Sequence, residues 1–480
     1  MQEYPNLYIN GKWVPALSGQ TAQIVNPATE AVCALVASGG ADDVNLAIAA
    51  AKKAFGEYSH TSVSFRKDLL NKIVDGINRR SEDFAVAISQ EMGAPLWWAR
   101  LAQVPSGAAH FRTAAKVLDS FEFELAQGST LIRREAIGVC GMITPWNWPL
   151  NQVSCKVAAA LAVGCTIVLK PAEQTSLDSI LLAEVMDEAG VPPGVFNLVN
   201  GPGSVVGAIL SEHPDIDMVS FTGSTYAGVQ VAKSAADSVK RVSQELGGKS
   251  AQIILPSADL GRSVRQAVHG FMTNAGQTCS AGSRLLVPAD RHDEAAEVAK
   301  QAADAIPLAS SEDALAPSIG PISTKKQFDQ ISEYITIGVD EGATLVTGGA
   351  SRPPELNRGY FLRPTILANV SNDMRVAQEE IFGPVLCIIP FETVSEAIAI
   401  ANDSPFGLSG YVFGDHEEAI EVAKQIHTGQ VFINGAGPDF NAPFGGFKQS
   451  GNGREWGEIG FDEFLEYKSI LGARVASAAE

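Results

Sequence analysis

Short apolar runs alternate with longer stretches of helical period along most of this chain. Residues 42–55 read as an Ala-rich helix, and residues 65–93 as two more. Apolar runs at 166–169, 195–199, 218–221 and 251–255 predict strands. A helical stretch at 179–189, closed by Gly190 and two prolines, separates the first two strands, and 205–210 predicts another helix before the third. This rhythm predicts a parallel sheet with helices on its faces. A second alternating block spans 259–447, with helices near 260–273 and 293–305 and strands near 285–287 and 385–390. Segments 129–139 and 461–475 read as exposed strands with interspersed charge. Such edges need a partner, which another subunit can supply.

The longest apolar run, 157–169, contains Gly164 and Thr166 and falls short of the ~20 residues that span a bilayer. It predicts a buried helix turning into a strand. A chain of 480 residues suggests two or three domains. A net charge of -19 argues against broad binding to nucleic acid or an anionic membrane, but leaves room for a local basic cleft. The six cysteines form no CxxC pair, which suits a reducing compartment. The seven histidines form no ligand pattern, so no metal site is expected. The N-terminus lacks the features of a signal peptide, and a cytoplasmic location is expected.

Three segments could carry chemistry. Cys279 lies in Gly276-Gln277-Thr278-Cys279-Ser280, between a predicted helix and a predicted strand. It is either a structural cysteine or a nucleophile exposed to a cleft. Glu245 precedes Gly247-Gly248, where the backbone can turn sharply. In a partly apolar cleft it could act as a general base; otherwise it is a solvated helix-end residue. Thr144-Pro145-Trp146-Asn147-Trp148-Pro149 predicts a rigid aromatic-walled turn, whose amide could donate to an oxyanion or simply sit in a structural corner. Gly201-Pro202-Gly203 with Gly207 imitates a dinucleotide fingerprint, but the last spacing is wrong; it reads as a strand-to-helix connection.

With these segments in place, the chain closely resembles the aldehyde dehydrogenase superfamily. The matching runs are PWNWP at 145–149, KPAEQT at 170–175, FTGST at 221–225, QELGGKS at 244–250, GQTCSA at 276–281, EEIFGP at 379–384 and PFGGFKQSG at 443–451. They occur in the family's order over nearly the whole chain. The resemblance implies oxidation of an aldehyde to an acid with NAD(P) and water, through a thioester on Cys279. Asn147 is then expected in the oxyanion hole, and Glu245 as the general base. Lys170 and Glu173 would meet the adenine ribose, and Gly223 and Ser224 the pyrophosphate. Glu380, Phe382 and Trp146 would surround the nicotinamide ribose and ring. Lys156 and Glu455 match a buried pair that either relays protons from the base or simply joins two elements.

Glu173 favours NAD, because a carboxylate accepts from a 2′-hydroxyl and repels a 2′-phosphate; NADP stays open as the alternative. The expected substrate wall comprises Trp148, Asn151, Gln152, Cys155, Thr278, Ser280 and Phe440. Asn151 and Gln152 would make one side polar, while the small Cys155 would leave room. No cation lies among these positions to anchor a substrate carboxylate, which disfavours an acidic semialdehyde. A CoA-acylating enzyme is a competing reading, opposed by Glu245; an inactive scaffold is another, opposed by the full residue set. The expected fold is α/β, with a Rossmann-like cofactor-binding domain (1–120 and 140–246) and an α/β catalytic domain (247–448). A small β oligomerisation segment (121–139 and 449–480) would pair subunits into a homodimer or homotetramer.

Overall fold

The computed structural model describes residues 1–309 and 317–473. Two seven-stranded sheets dominate it, with helices packed on them. In the first, five parallel strands lie in the spatial order Arg241–Glu245, Met218–Thr222, Val139–Ile143, Thr166–Lys170 and Phe196–Leu198. Two antiparallel N-terminal strands, Asn6–Ile9 and Lys12–Pro15, complete the edge. Chain order reverses between Val139–Ile143 and Met218–Thr222. In open α/β sheets that switch point opens a crevice at the carboxyl ends of the strands. The second sheet contains Ala251–Ile254, Arg284–Pro288, Thr365–Ala368, Val385–Phe391, Ser409–Phe413 and Gln430–Ile433 in parallel, with Thr344–Thr347 antiparallel at one edge.

The apolar run at 157–169 divides as its composition predicts. Helix Pro149–Val163 is buried along its whole length and ends at Gly164. That glycine adopts a left-handed conformation (φ 101°), and the strand Thr166–Lys170 follows. The helices expected at 42–55 and 65–93 are Ala41–Tyr58, Val63–Arg79 and Ser81–Met92.

One of the smaller sheets joins Glu124–Gln127, Thr130–Ala136 and Leu465–Ile470, all antiparallel. Here two expectations need correction. Val139 does not extend the exposed strand but begins a buried strand of the first sheet, pairing with Thr166. The break is Gly138 (φ 138°), where a Cβ would lie 1.9 Å from Asp217 Oδ2. The tail divides too: Ile459–Asp462 is helical, and 450–455 packs beside Glu245 and Lys156 rather than in the small sheet. Residues 474–475 of the expected strand lie outside the described residues. Among the described residues, no helix is long and apolar enough to cross a membrane, and no group of three or more His, Cys, Asp or Glu could hold a metal ion.

Replacing Gly164 with alanine forces a Cβ into this left-handed turn, 3.3 Å from Ser59 Cα. The expected cost is about 2 kcal/mol, seen as a lower thermal unfolding midpoint for Gly164→Ala. An unchanged midpoint would contradict the assignment of strain to this turn.

Candidate active site

The chain passes from the first sheet to the second through residues 246–250, and the chemical groups gather around this crossing. Glu245 ends its strand, beside Thr222 on one side and bridged to Gly451 on the other. Gly247 and Gly248 follow, and neither has positive φ. Their lack of a side chain serves close approach instead of a left-handed turn. A Cβ on Gly247 would lie 2.2 Å from Glu380 Oε2, and one on Gly248 would lie 2.6 Å from the Cys279 carbonyl. The Gly248 N–H donates to Glu380 Oε1 at 2.8 Å.

Cys279 is presented by a tight reversal. After helix Leu260–Met272, Asn274 (φ 55°), Ala275 (φ 54°) and Gly276 (φ 69°) are left-handed in succession, a strained arrangement for the alanine. Side-chain amides hold it. Asn274 Nδ2 donates to the carbonyls of Asn147 and Gln277, while Gln103 Nε2 donates to Asn274 Oδ1. Gln277 Nε2 donates to Asn274 O, and its Oε1 accepts from Ser323 N. Asn147 Nδ2 donates to Gln277 O at 3.2 Å, so its amide lies against the loop that carries the thiol. Gln103, Asn274 and Gln277 were not singled out from the sequence. The last two adjoin Cys279 in one run; Gln103, 171 residues before Asn274, gave no local signal.

The electrostatics are set by burial. Glu245 is buried, and neither carboxylate oxygen has a hydrogen-bond partner among the described residues. Burial and then the Glu455 carboxylate hold its pKa well above the usual range, with Lys156 and Arg454 opposing. Burial, then Glu380 and Glu245, push the half-buried Cys279 thiol up to about 12. Glu380 is pushed up to about 7 by burial, against the Gly248 N–H and Lys249. Lys156 and Glu455 form a buried ion pair. Burial disfavours the Lys156 ammonium, yet Glu455 holds its pKa above the ordinary value.

At the switch point, Lys170 ends one central strand and accepts Thr144 N–H at its carbonyl. Its ammonium is depressed by burial. Glu173 Oε1 accepts from Gly203 N at 2.9 Å. A Cβ on Gly203 would meet nothing closer than Lys170 Nζ at 3.9 Å and Glu173 Oε1 at 4.0 Å, which leaves a cradle between the three. The Gly201–Gly203 turn connects a strand to the helical segments Gly203–Gly207 and Ala208–Glu212, as expected. Across the crevice Gly223 precedes Ser224, which caps helix Thr225–Ala235 by accepting from Ala227 N. Free amides at such an end favour an anion. Trp146 meets Phe382 edge-on at 5.3 Å, near Glu380. Open cradle, helix end and aromatic wall fit a dinucleotide.

The remaining expected residues form an aromatic-rich flank. Trp148 contacts Trp98 edge-on, and its Nε1 donates to Thr278 Oγ1 at 2.9 Å. The Ser280 carbonyl accepts from Tyr411 OH. Phe440 packs on His110 and Trp456. Asn151 and Gln152 are buried rather than spread along an open wall, and the Asn151 amide lies 3.0 Å from His110 Nε2. Burial pushes His110 down to about 3, so it is neutral. Cys155 is buried and faces Glu455.

A family model described as "Aldehyde dehydrogenase family" matches residues 13–470. The chain belongs to the aldehyde dehydrogenase family. It is 51% identical over 478 residues to a 3-succinoylsemialdehyde-pyridine dehydrogenase of Pseudomonas sp., covering 98% of this chain and 99% of that one. Among solved structures, aldehyde dehydrogenase C of Pseudomonas syringae, a mutant complexed with NAD+ and octanal, superposes with TM-score 0.97. It is 48% identical and covers 99% of this chain and 97% of its own. Betaine aldehyde dehydrogenase of Staphylococcus aureus with NAD+ gives TM-score 0.94 at 38% identity, covering 98% and 95%.

Because the Glu380 carboxylate disfavours the Cys279 thiolate, neutralising it in Glu380→Gln lowers the thiol pKa and raises the thiolate fraction. Alkylation of Cys279 by iodoacetamide at pH 8 is expected to speed up by about three- to tenfold. An equal or slower rate would show that this charge does not act on the thiol.

Proposed function

We propose that this chain is an NAD-dependent, hydrolytic aldehyde dehydrogenase with Cys279 as nucleophile and Glu245 as base. The buried Glu245, whose two oxygens have no hydrogen-bond partner among the described residues, lies beside the cysteine loop and carries this reading. Its raised pKa makes it, once ionised, a stronger base than an exposed carboxylate. The Cys279 thiol first gives its proton to solvent water, a step that does not require Glu245. Cys279 Sγ then bonds to the aldehyde carbon, forming a thiohemiacetal. Asn147 Nδ2 has a second N–H beyond the one given to Gln277, and with the Cys279 backbone N–H it meets the oxyanion. Bound NAD supplies the hydride acceptor, and loss of hydride leaves a thioester. Ionised Glu245 takes a proton from a water, whose oxygen attacks the acyl carbon; the acid departs with expulsion of the thiolate, and the proton on Glu245 passes to the sulfur to restore the thiol.

Lys170 and Glu173 are proposed to hold the adenine ribose, with Glu173 selecting against a 2′-phosphate. Gly223, Ser224 and the helix end would take the pyrophosphate, and Glu380, Phe382 and Trp146 the nicotinamide half. Trp148, Thr278, Ser280 and Phe440, with Asn151 and Gln152 behind, are proposed to line the aldehyde's path. An aromatic-rich flank without a cation suits a neutral aromatic or long aliphatic aldehyde, in keeping with the octanal and pyridine in the relatives' names. The small sheet has an outer edge through which a homodimer or homotetramer would form, and a cytoplasmic location belongs to the same reading.

Absorbance at 340 nm with NAD, a neutral aldehyde and no CoA tests the core of this. Wild type turns over, Cys279→Ala loses at least about 10³-fold, and Glu245→Gln gives one burst of NADH without turnover. Turnover only when CoA is added would replace hydrolysis with acyl transfer to a thiol.

A further inference from the structure

Cys155 and Lys156 are consecutive on the buried helix Pro149–Val163, and both point at one carboxylate. Lys156 Nζ takes Glu455 Oε1, while Cys155 Sγ lies 3.2 Å from Oε2. The thiol also lies 3.3 Å from Gln152 O, but the carboxylate is the stronger acceptor for its single proton. Burial and Glu455 hold the thiol pKa well above its ordinary value, so it stays a donor. Glu455 is anchored through its backbone by reciprocal bonds to Phe444, and among the described residues its side chain is hydrogen-bonded by these two residues alone. Among the described residues neither oxygen of Glu245, close by, is bonded, and beyond burial its basicity depends on the balance between Glu455 and Lys156.

We propose that Cys155 is a positioning residue, whose thiol pins Glu455 on Lys156 and so keeps Lys156 from pairing with Glu245. The inference rests on the reading of Glu245 as the base. Without the thiol, Glu455 can rotate and Lys156 can turn to Glu245. An ion-paired Glu245 has a lower pKa and is a weaker base. Thioester hydrolysis then slows, and its acid limb moves to lower pH.

The test compares Cys155→Ala with Cys155→Ser, which keeps a hydroxyl donor. Stopped-flow NADH formation reports hydride transfer, and rapid quench reports decay of the thioester. In Cys155→Ala, hydride transfer is expected to stay within about twofold of wild type while thioester decay falls about tenfold. Its acid limb shifts down in pH, and Cys155→Ser recovers most of the loss. Equal losses in both variants, a parallel fall of both steps, or a change confined to the aldehyde KM would overturn the proposal. So would a lowered thermal midpoint with wild-type decay, which would make the contact merely structural. Glu245→Gln run alongside separates the two claims: if it turns over normally, the base assignment itself fails; if it stalls at the thioester while Cys155→Ala decays normally, only the role of Cys155 fails.

Discussion

Everything at this site depends on how closely three backbone segments can approach at Gly247 and Gly248. The end of one sheet, the cysteine loop and the Glu380 segment all converge there, at distances that leave no space for a single Cβ. A side chain at either position would force Glu380 or the Cys279 carbonyl to shift. The same device recurs on the far side of Glu245. Gly445 (φ 156°) lies where a Cβ would be 2.8 Å from Glu245 Oε1, and Gly451 (φ 128°) where one would be 2.0 Å from Gln244 O. Glycines thus let the 445–451 segment close on Glu245, which is buried.

That compaction sets the chemistry. Three carboxyl groups lie near the cysteine or the base, Glu245 and Glu455 buried and Glu380 half-buried, and Lys156 is paired with Glu455. Burial raises the pKa of Glu245 and of the thiol together. The resting site therefore keeps its thiol protonated, beside a carboxyl group whose charge is likewise disfavoured. Desolvation, the dominant influence on both groups, weakens when water enters, so the basicity of Glu245 is coupled to how tightly the glycine-lined loops close.

Much of this was legible in the sequence because it is local. The Pro-Trp-Asn-Trp-Pro turn, the Gly-Gly break after Glu245 and the apolar run ending in Gly164 each carry their own conformational signal. What escaped was non-local. Gln103 reaches Asn274 from a distant helix, and the expected substrate-facing Cys155 turns toward Glu455, 300 residues later. Spacing within a helix cannot tell which face meets such a partner. The Gly-Gly pair, expected to let the backbone turn sharply, serves close approach instead. Val139 was misplaced because strand propensity continues through Gly138, while the chain itself changes sheets there.

The central claim is an acyl group held on Cys279 until Glu245 activates water. Its most direct test is the mass of the Glu245→Gln protein after reaction with NAD and an aldehyde. A mass increase equal to the acyl group, mapped to the peptide containing Cys279 and absent when NAD is omitted, is the predicted result. An unmodified Cys279 after NADH has formed, or an acyl group on another residue, would contradict it.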